Sequence, residues 1–361
     1  NTNIGIDAAF LNNRIDVSME YYNTKTKDVI WNKALPVING AFSPDGGPKA
    51  NYTTNLNMCE TSNKGFELAL NTRNIITKNF TWSSSVTFNH NKEKITKLSG
   101  GDSDVLNNGD TGYALALGEA INSYYHYKLD GVWQKGEETD AAVFGAAPGD
   151  LKINIPNLVK ESDGRFYKID EETGSAAVDE NGNVIYYTSD NKYTPSDADY
   201  QILGHNSPDW SLGFQNNFTW KDFDLSVFVY ARYGQMFAYD MLTSYDPKGI
   251  RNFPTYFNYW TENNPSNDFP AANANKGLEQ YTGYYALRYV DGSFIKIKNI
   301  TLGYSLPKSI LKSAGIEKCR FYATITNPFV FAKSHLLKDY DPEMNGSLKY
   351  PLTKQFVFGV N

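Results

Sequence analysis

Four side chains alternate through the run "SYYHYKLDGVW": Tyr124, His126, Lys128 and Asp130. In an extended chain such residues share one face. Tyr230 and Arg232 repeat the spacing in "FDLSVFVYARYG", and Tyr256, Tyr259 and Trp260 crowd into "TYFNYW". Aromatic faces beside planar polar groups suit ligands that carry both apolar faces and hydroxyl or amide edges. These residues form the candidate substrate-binding set.

Nothing in the sequence adds covalent chemistry to that set. There is no Walker A loop, no GxGxxG, no HExxH, no GxSxG and no CxxC pair. His90, His126, His205 and His335 are scattered, and Cys59 and Cys319 lack zinc spacing. "DENGN", Asp179 to Asn183, lacks the full ligand spacing of a calcium loop and reads better as a hairpin turn with Asn-Gly at its tip. The expectation is a non-enzyme with no catalytic residue, no metal and no cofactor.

The elements that must position these residues are strands. Of 361 residues, 15% are aromatic, with 26 Tyr and 21 Phe, which favours β structure. Net charge is −6 with mixed signs, so no nucleic-acid groove is expected. Mean hydropathy is −0.50, and no apolar run is long enough for a membrane helix. The only helix expected is "PKSILKSAG", Pro307 to Gly315, with Pro at its start and Gly at its end.

Elsewhere the chain alternates with period 2. Ile4, Ile6, Ala8 and Phe10 oppose Gly5, Asp7 and Ala9; Phe223, Leu225, Val227 and Val229 oppose Asp224, Ser226, Phe228 and Tyr230. The apolar phase of these strands carries no charge, whereas the other carries Asp7, Asp16, Glu20, Glu67, Asp224, Arg232 and Arg320. Lipid would enforce this asymmetry, because a charge at mid-bilayer on a lipid-facing strand costs ~2–4 kcal/mol. A soluble sheet with one buried face also keeps charges off that face. Loop lengths favour lipid. "FLNNRI" and "WKDF" are tight turns, while long connections run roughly from Thr26 to Asn63, Gln134 to Pro208, Gln235 to Tyr289 and Ala332 to Thr353. Aromatics on the apolar phase, among them Phe10, Trp82, Trp220 and Phe321, gather beside the short turns like an interfacial girdle.

The fold class expected is therefore all-β, a transmembrane antiparallel β-barrel with short periplasmic turns and long extracellular loops. If all long loops lie outside, parity between "FTWSSSVTF" and "SLGFQNNFTW" is met by adding "GYALALG" and "SYYHYKLDGVW" as strands. That gives about eleven strands of a larger, about 22-stranded barrel. In "DGSFIKIKNITLGYSLP" the apolar phase slips from Ile295 and Ile297 to Ile300, Leu302, Tyr304 and Leu306. A one-residue slip exchanges faces, so a bulge is expected near Lys298 or Asn299.

Taken together, "GIDAAFLNNRIDVSMEYYNTKTKDVI", "SNKGFELAL", "INSYYHYKLDGVWQ", "PGDLKI", "DYQILGHNSPDWSLGFQNNFTWKDFDLSVFVYARYGQMF", "YVDGSFIKIKNITLGYSLPKSIL" and "DYDPEM" resemble SusC/RagA-like TonB-dependent outer-membrane transporters. The resemblance spans nearly the whole chain and matches the C-terminal barrel half. It implies residues 1–361 are half of a barrel in the bacterial outer membrane, in contact with its lipid, with the N-terminal plug and TonB-contacting segment lying outside this chain. It also implies TonB-dependent import of oligosaccharides or peptides, with a SusD-like lipoprotein as lid. The chain departs from the family in a long insertion after "PGDLKI" and in its last residues, where family members usually end in an aromatic. The alternative left open is a soluble or surface-exposed β-rich glycan-binding module of adhesin type.

Overall fold

The computed structural model describes residues 1–34, 53–98, 105–108, 113–244, 254–313 and 315–361. Its main element is one antiparallel sheet of nine strands in sequential order. These are β1 Thr2–Phe10, β2 Ile15–Ala34, β3 Thr53–Ile76, β4 Phe80–Leu98, β5 Trp210–Trp220, β6 Phe223–Tyr233, β7 Phe294–Ser305, β8 Arg320–Ala332 and β9 Gln355–Val360. β1 and β9 are its two edges, so the sheet does not close on itself.

The alternation read from sequence becomes a continuous face because paired residues keep phase from strand to strand. One row runs Met19–Leu68–Phe88–Leu212–Ala231–Ile295–Phe331. The next runs Val17–Leu70–Val86–Phe214–Val229–Ile297–Phe329. Such pairs stabilise a sheet side by side. The polar pair Ser84 and Asn216 on this face is satisfied locally. Asn216 Oδ1 accepts from Ser84 Oγ at 2.8 Å and from Trp82 Nε1 at 3.0 Å, and Asn74 Nδ2 donates to Ser84 Oγ at 2.8 Å.

The opposite face is polar and uses small residues to let large groups lie flat. Arg320 donates from Nε and Nη2 to both Asp224 oxygens, at 2.9 and 2.6 Å, reaching across β7 to β6. Gly303 lies beneath this pair; any Cβ there would collide with both partners. Tyr22 and Tyr322 likewise cover Gly65 and Gly359.

Turns on one end are short: residues 11–14, 77–79 and 221–222, and a fourth connection contains the helix Lys308–Ser313. Leu11, Asn12, Asn13 and Lys221 hold positive φ, the left-handed backbone that tight hairpins demand. On the other end β2, β3 and β4 reach 20, 24 and 19 residues. A bilayer crossing needs only ~9–11. Of the stretch from Thr26 to Asn63, expected as loop, the described residues 26–34 and 53–63 are strand.

The strand count needs correction. "GYALALG" and "SYYHYKLDGVW" do not enter the main sheet: β4 pairs directly with β5 in unbroken register. Tyr113–Ala116 and Ser123–His126 instead join Val105–Asn108 and Gln201–His205 in a separate four-stranded sheet. The parity argument was satisfied equally by no extra strand. At four residues each, these segments are also too short to cross a bilayer. Gly112 lies outside the described residues.

The expected bulge is present. Phe228 pairs with Asn299 and Val229 with Ile297, leaving Lys298 as the extra residue of β7. On the β8 side Ile297 meets Phe329 and Asn299 meets Thr326, with Asn327 at φ 54° in between. The bulge keeps Lys296 and Lys298 on the polar face while returning Ile300 to the apolar one.

Candidate functional site

Above the long-loop end, the connections fold into an ordered layer with its own core. Leu242, Phe257, Trp260, Phe269, Tyr281 and Tyr284 are buried together. Phe257 and Phe269 stack at 4.3 Å. The separate sheet borders this layer and carries a band of rings. His126 stacks on Tyr200 at 4.8 Å and 14°, and lies 5.7 Å from Tyr289. Tyr289 meets Tyr124 at 4.9 Å, and Tyr124 stacks on Tyr113 at 4.8 Å. Tyr127 sets its edge against Tyr200 at 4.7 Å.

Electrostatics hold this band neutral. Burial, aided by the nearby Arg288 charge, pushes His126 down to about 4. Its Nδ1 accepts the Tyr127 backbone N–H at 2.8 Å, so the neutral ring carries its proton on Nε2. Burial likewise raises the Tyr124 and Tyr200 phenols. Arg288 is the adjoining cation; its Nη2 donates to Tyr289 Oη at 3.1 Å. Beside Tyr289 and Tyr127 opens a cavity of about 420 Å³, lined also by Lys128, Gln201, Met236 and Asp268. It has the size and mixed lining of a small-ligand pocket. A larger recess of about 670 Å³ lies between β8 and the 333–354 segment, at the open edge of the sheet. There β9 pairs only with Phe321 to Thr326 of β8.

A second group lies on the polar face of the sheet. Arg232 Nε donates to Tyr230 Oη at 2.8 Å, and Lys298 sits 5.2 Å from the Tyr230 ring centre. Lys298 donates to Glu343 Oε1 at 2.6 Å; Lys296, wholly buried, donates to Glu343 Oε2 at 2.8 Å and to Asp341. The segment "DYDPEM" is thereby clamped to the bulge of β7.

The sequence-based set divides accordingly. Tyr124 and His126 belong to the aromatic band, although Tyr124 is itself buried. Lys128 lines the 420 Å³ cavity, while Asp130 accepts from Asn154 Nδ2 at 2.8 Å. The single strand expected to carry all four is broken at Tyr127: Lys128–Val132 pairs separately with Leu151–Asn154. Tyr230 is adjacent to both Arg232 and Lys298. Tyr256 packs on Phe257 at 5.2 Å and Tyr259 is exposed. Trp260 is buried in the loop core and donates to Gln134 Oε1 at 2.9 Å, which leaves it no free face. Sequence reasoning missed Tyr200, Tyr289 and Arg288, which come from distant loops.

The remaining motifs resolve simply. Asp179 Oδ1 accepts the backbone N–H groups of Asn181 and Asn183, and Gly182 has φ 83°, so "DENGN" is a turn. Among the described residues no group of three His, Cys, Asp or Glu could hold a metal ion.

No family model matches the chain. TonB-dependent receptor P3 of Formosa agariphila is 28% identical, over 99% of this chain and 33% of its own length. TonB-dependent receptor SusC of Bacteroides thetaiotaomicron is 27% identical, over 99% of this chain and 31% of its own. Over nearly its whole length the chain is similar to TonB-dependent receptors of the SusC type. A solved structure of the RagAB peptide transporter superposes with TM-score 0.70 at 23% identity, over 99% of this chain and 34% of that one. The chain spans about a third of the length of the relatives it matches. It is a segment of an outer-membrane β-barrel.

Proposed function

We propose that residues 1–361 form the C-terminal half of the barrel of a TonB-dependent importer. Plug and TonB contact belong to the remainder of a longer protein. The cargo proposed is an oligosaccharide, and a SusD-like lipoprotein closes the barrel from outside. The observation that carries this reading is the 420 Å³ cavity lined by Tyr127, Tyr289, Lys128 and Gln201, backed by the neutral band of Tyr124, His126 and Tyr200. Tyr127 and Tyr289 offer neutral ring surface to a sugar, while Lys128 and Gln201 supply hydrogen bonds. A peptide cargo is the second reading, favoured by the likeness to the RagAB peptide transporter.

The test is uptake by cells that make the full-length protein or lack it. Labelled oligosaccharide should accumulate only in the former, and a protonophore should abolish accumulation. Equal uptake without the protein removes the import reading; accumulation of labelled oligopeptides alone selects the second cargo. Orientation has its own check. On whole cells an impermeant maleimide should label Glu180→Cys in the inserted loop but reach Lys78→Cys, in a short turn, only after lysis. The reverse pattern would invert the topology.

A further inference from the structure

Along the lipid-facing phase the apolar rows end abruptly on β2, β3 and β4. The row Tyr21–Phe66–His90 is followed by Asn23–Lys64–Lys92, and that by Lys25–Ser62–Lys94. Lys25, Lys64, Lys92 and Lys94 are all exposed. Lys64 and Lys92 are directly opposed, an arrangement that destabilises a sheet unless an anion lies between the charges. None of these residues is a carboxylate. Glu20, Glu67 and Glu93 occupy the opposite phase, and Glu60, farther out, is engaged by Lys97 at 3.5 Å.

The height of the cluster is set by its strand. Lys92 stands about twelve residues above Phe80, roughly 30 Å along the membrane normal at ~3.3 Å rise and ~40° tilt. The apolar band of such barrels is ~25 Å tall. The four ammonium groups therefore lie just beyond the lipid tails, at the headgroup level of the outer leaflet, with Tyr21, Phe66 and His90 in the row directly beneath. A solvated basic surface would need neither this height nor this phase.

We infer that Lys25, Lys64, Lys92 and Lys94 form a docking site for the phosphate headgroup of an outer-leaflet phosphoglycolipid, whose chains lie on the apolar rows below. Lysine binds phosphate as a point charge, and several converging ammonium groups suit a multiply charged headgroup. The partner is lipid, because the cluster continues the uncharged apolar phase, the face that a barrel reading turns to lipid.

The test uses full-length protein in detergent, incubated with a bis-phosphorylated glycolipid, with its dephosphorylated form, or with inorganic phosphate, and read by native mass spectrometry. Wild type should retain the phosphorylated lipid at least about tenfold better than Lys64→Gln/Lys92→Gln or the fourfold Gln variant. Lys78→Gln, at the other end of β3, should behave as wild type. Equal retention of the dephosphorylated lipid by wild type would overturn the proposal, and this arm needs no variant to fold. Equal retention by the Gln variants, with the gel shift of a folded barrel intact, would also overturn it, as would displacement of the lipid by inorganic phosphate at equimolar concentration.

Discussion

Replacing Lys296 with methionine is expected to release the 334–345 segment from the barrel wall. Lys296 is fully buried, and its ammonium is held by Asp341 and Glu343. Removing one partner of a buried ion pair typically costs ~3–5 kcal/mol, because the charges left behind stay desolvated. Lys298→Met should cost less, since Lys298 is partly exposed, engages Glu343 alone and leaves the Lys296 pairs intact. Hydrogen exchange in the full-length protein reads the difference: amides of residues 335–345 should lose protection strongly in the first variant and slightly in the second. Unchanged protection in Lys296→Met would mean the carboxylates do not fasten the loop. Acid should imitate the mutation. Burial alone would raise the Glu343 carboxyl, but the hydrogen bonds from Lys296 and Lys298 outweigh it and hold the group below its ordinary value. Its contribution is therefore complete above the unfolded carboxylate range and is lost as pH falls through the depressed folded value.

That clamp also illustrates what a sequence can disclose here. The phase slip at Lys298 was readable because period-2 alternation on a lipid-facing strand is strict, and one extra residue reverses it visibly. Its purpose was not readable. Asp341 and Glu343 lie 45 and 47 positions away from Lys296, and no local period links a loop carboxylate to a strand lysine. The aromatic band was hidden for the same reason: His126, Tyr200 and Tyr289 meet only through tertiary folding. Tyr113–Ala116 misled in the other direction. A short alternating run looks alike in a barrel wall and in an accessory sheet, and only its length separates the two. Trp260 looked like a platform because it sits in a loop. Yet a loop layer this large needs a core of its own, and Trp260 supplies part of it.

Arginine at Ile325 should destabilise the folded barrel far more than arginine at Phe331. Both side chains belong to the apolar phase of β8, separated by one register shift. Ile325 stands about four residues above Phe321 at the periplasmic girdle, hence well inside the apolar band; Phe331 stands about ten above it, near the outer interface. The cost of a lipid-facing arginine falls from ~2–4 kcal/mol at the midplane to ~0–1 kcal/mol near the interface. Urea unfolding of full-length protein refolded into phospholipid vesicles measures both. The two residues also differ in what the protein itself covers. Ile325 pairs with Ile300 and Phe356, while Phe331 pairs with Ile295 and is 61% exposed. A pair of matched exposure removes that ambiguity. Phe356→Arg, opposite Ile325 on β9, and Phe331→Arg, at the outer end of β8, are 67% and 61% exposed. Protein burial predicts equal losses there, whereas depth in a bilayer predicts a larger loss at Phe356. Equal losses would point to a soluble sheet with one covered face. Only a gradient that follows height, at matched exposure, assigns the uncharged phase of this chain to lipid.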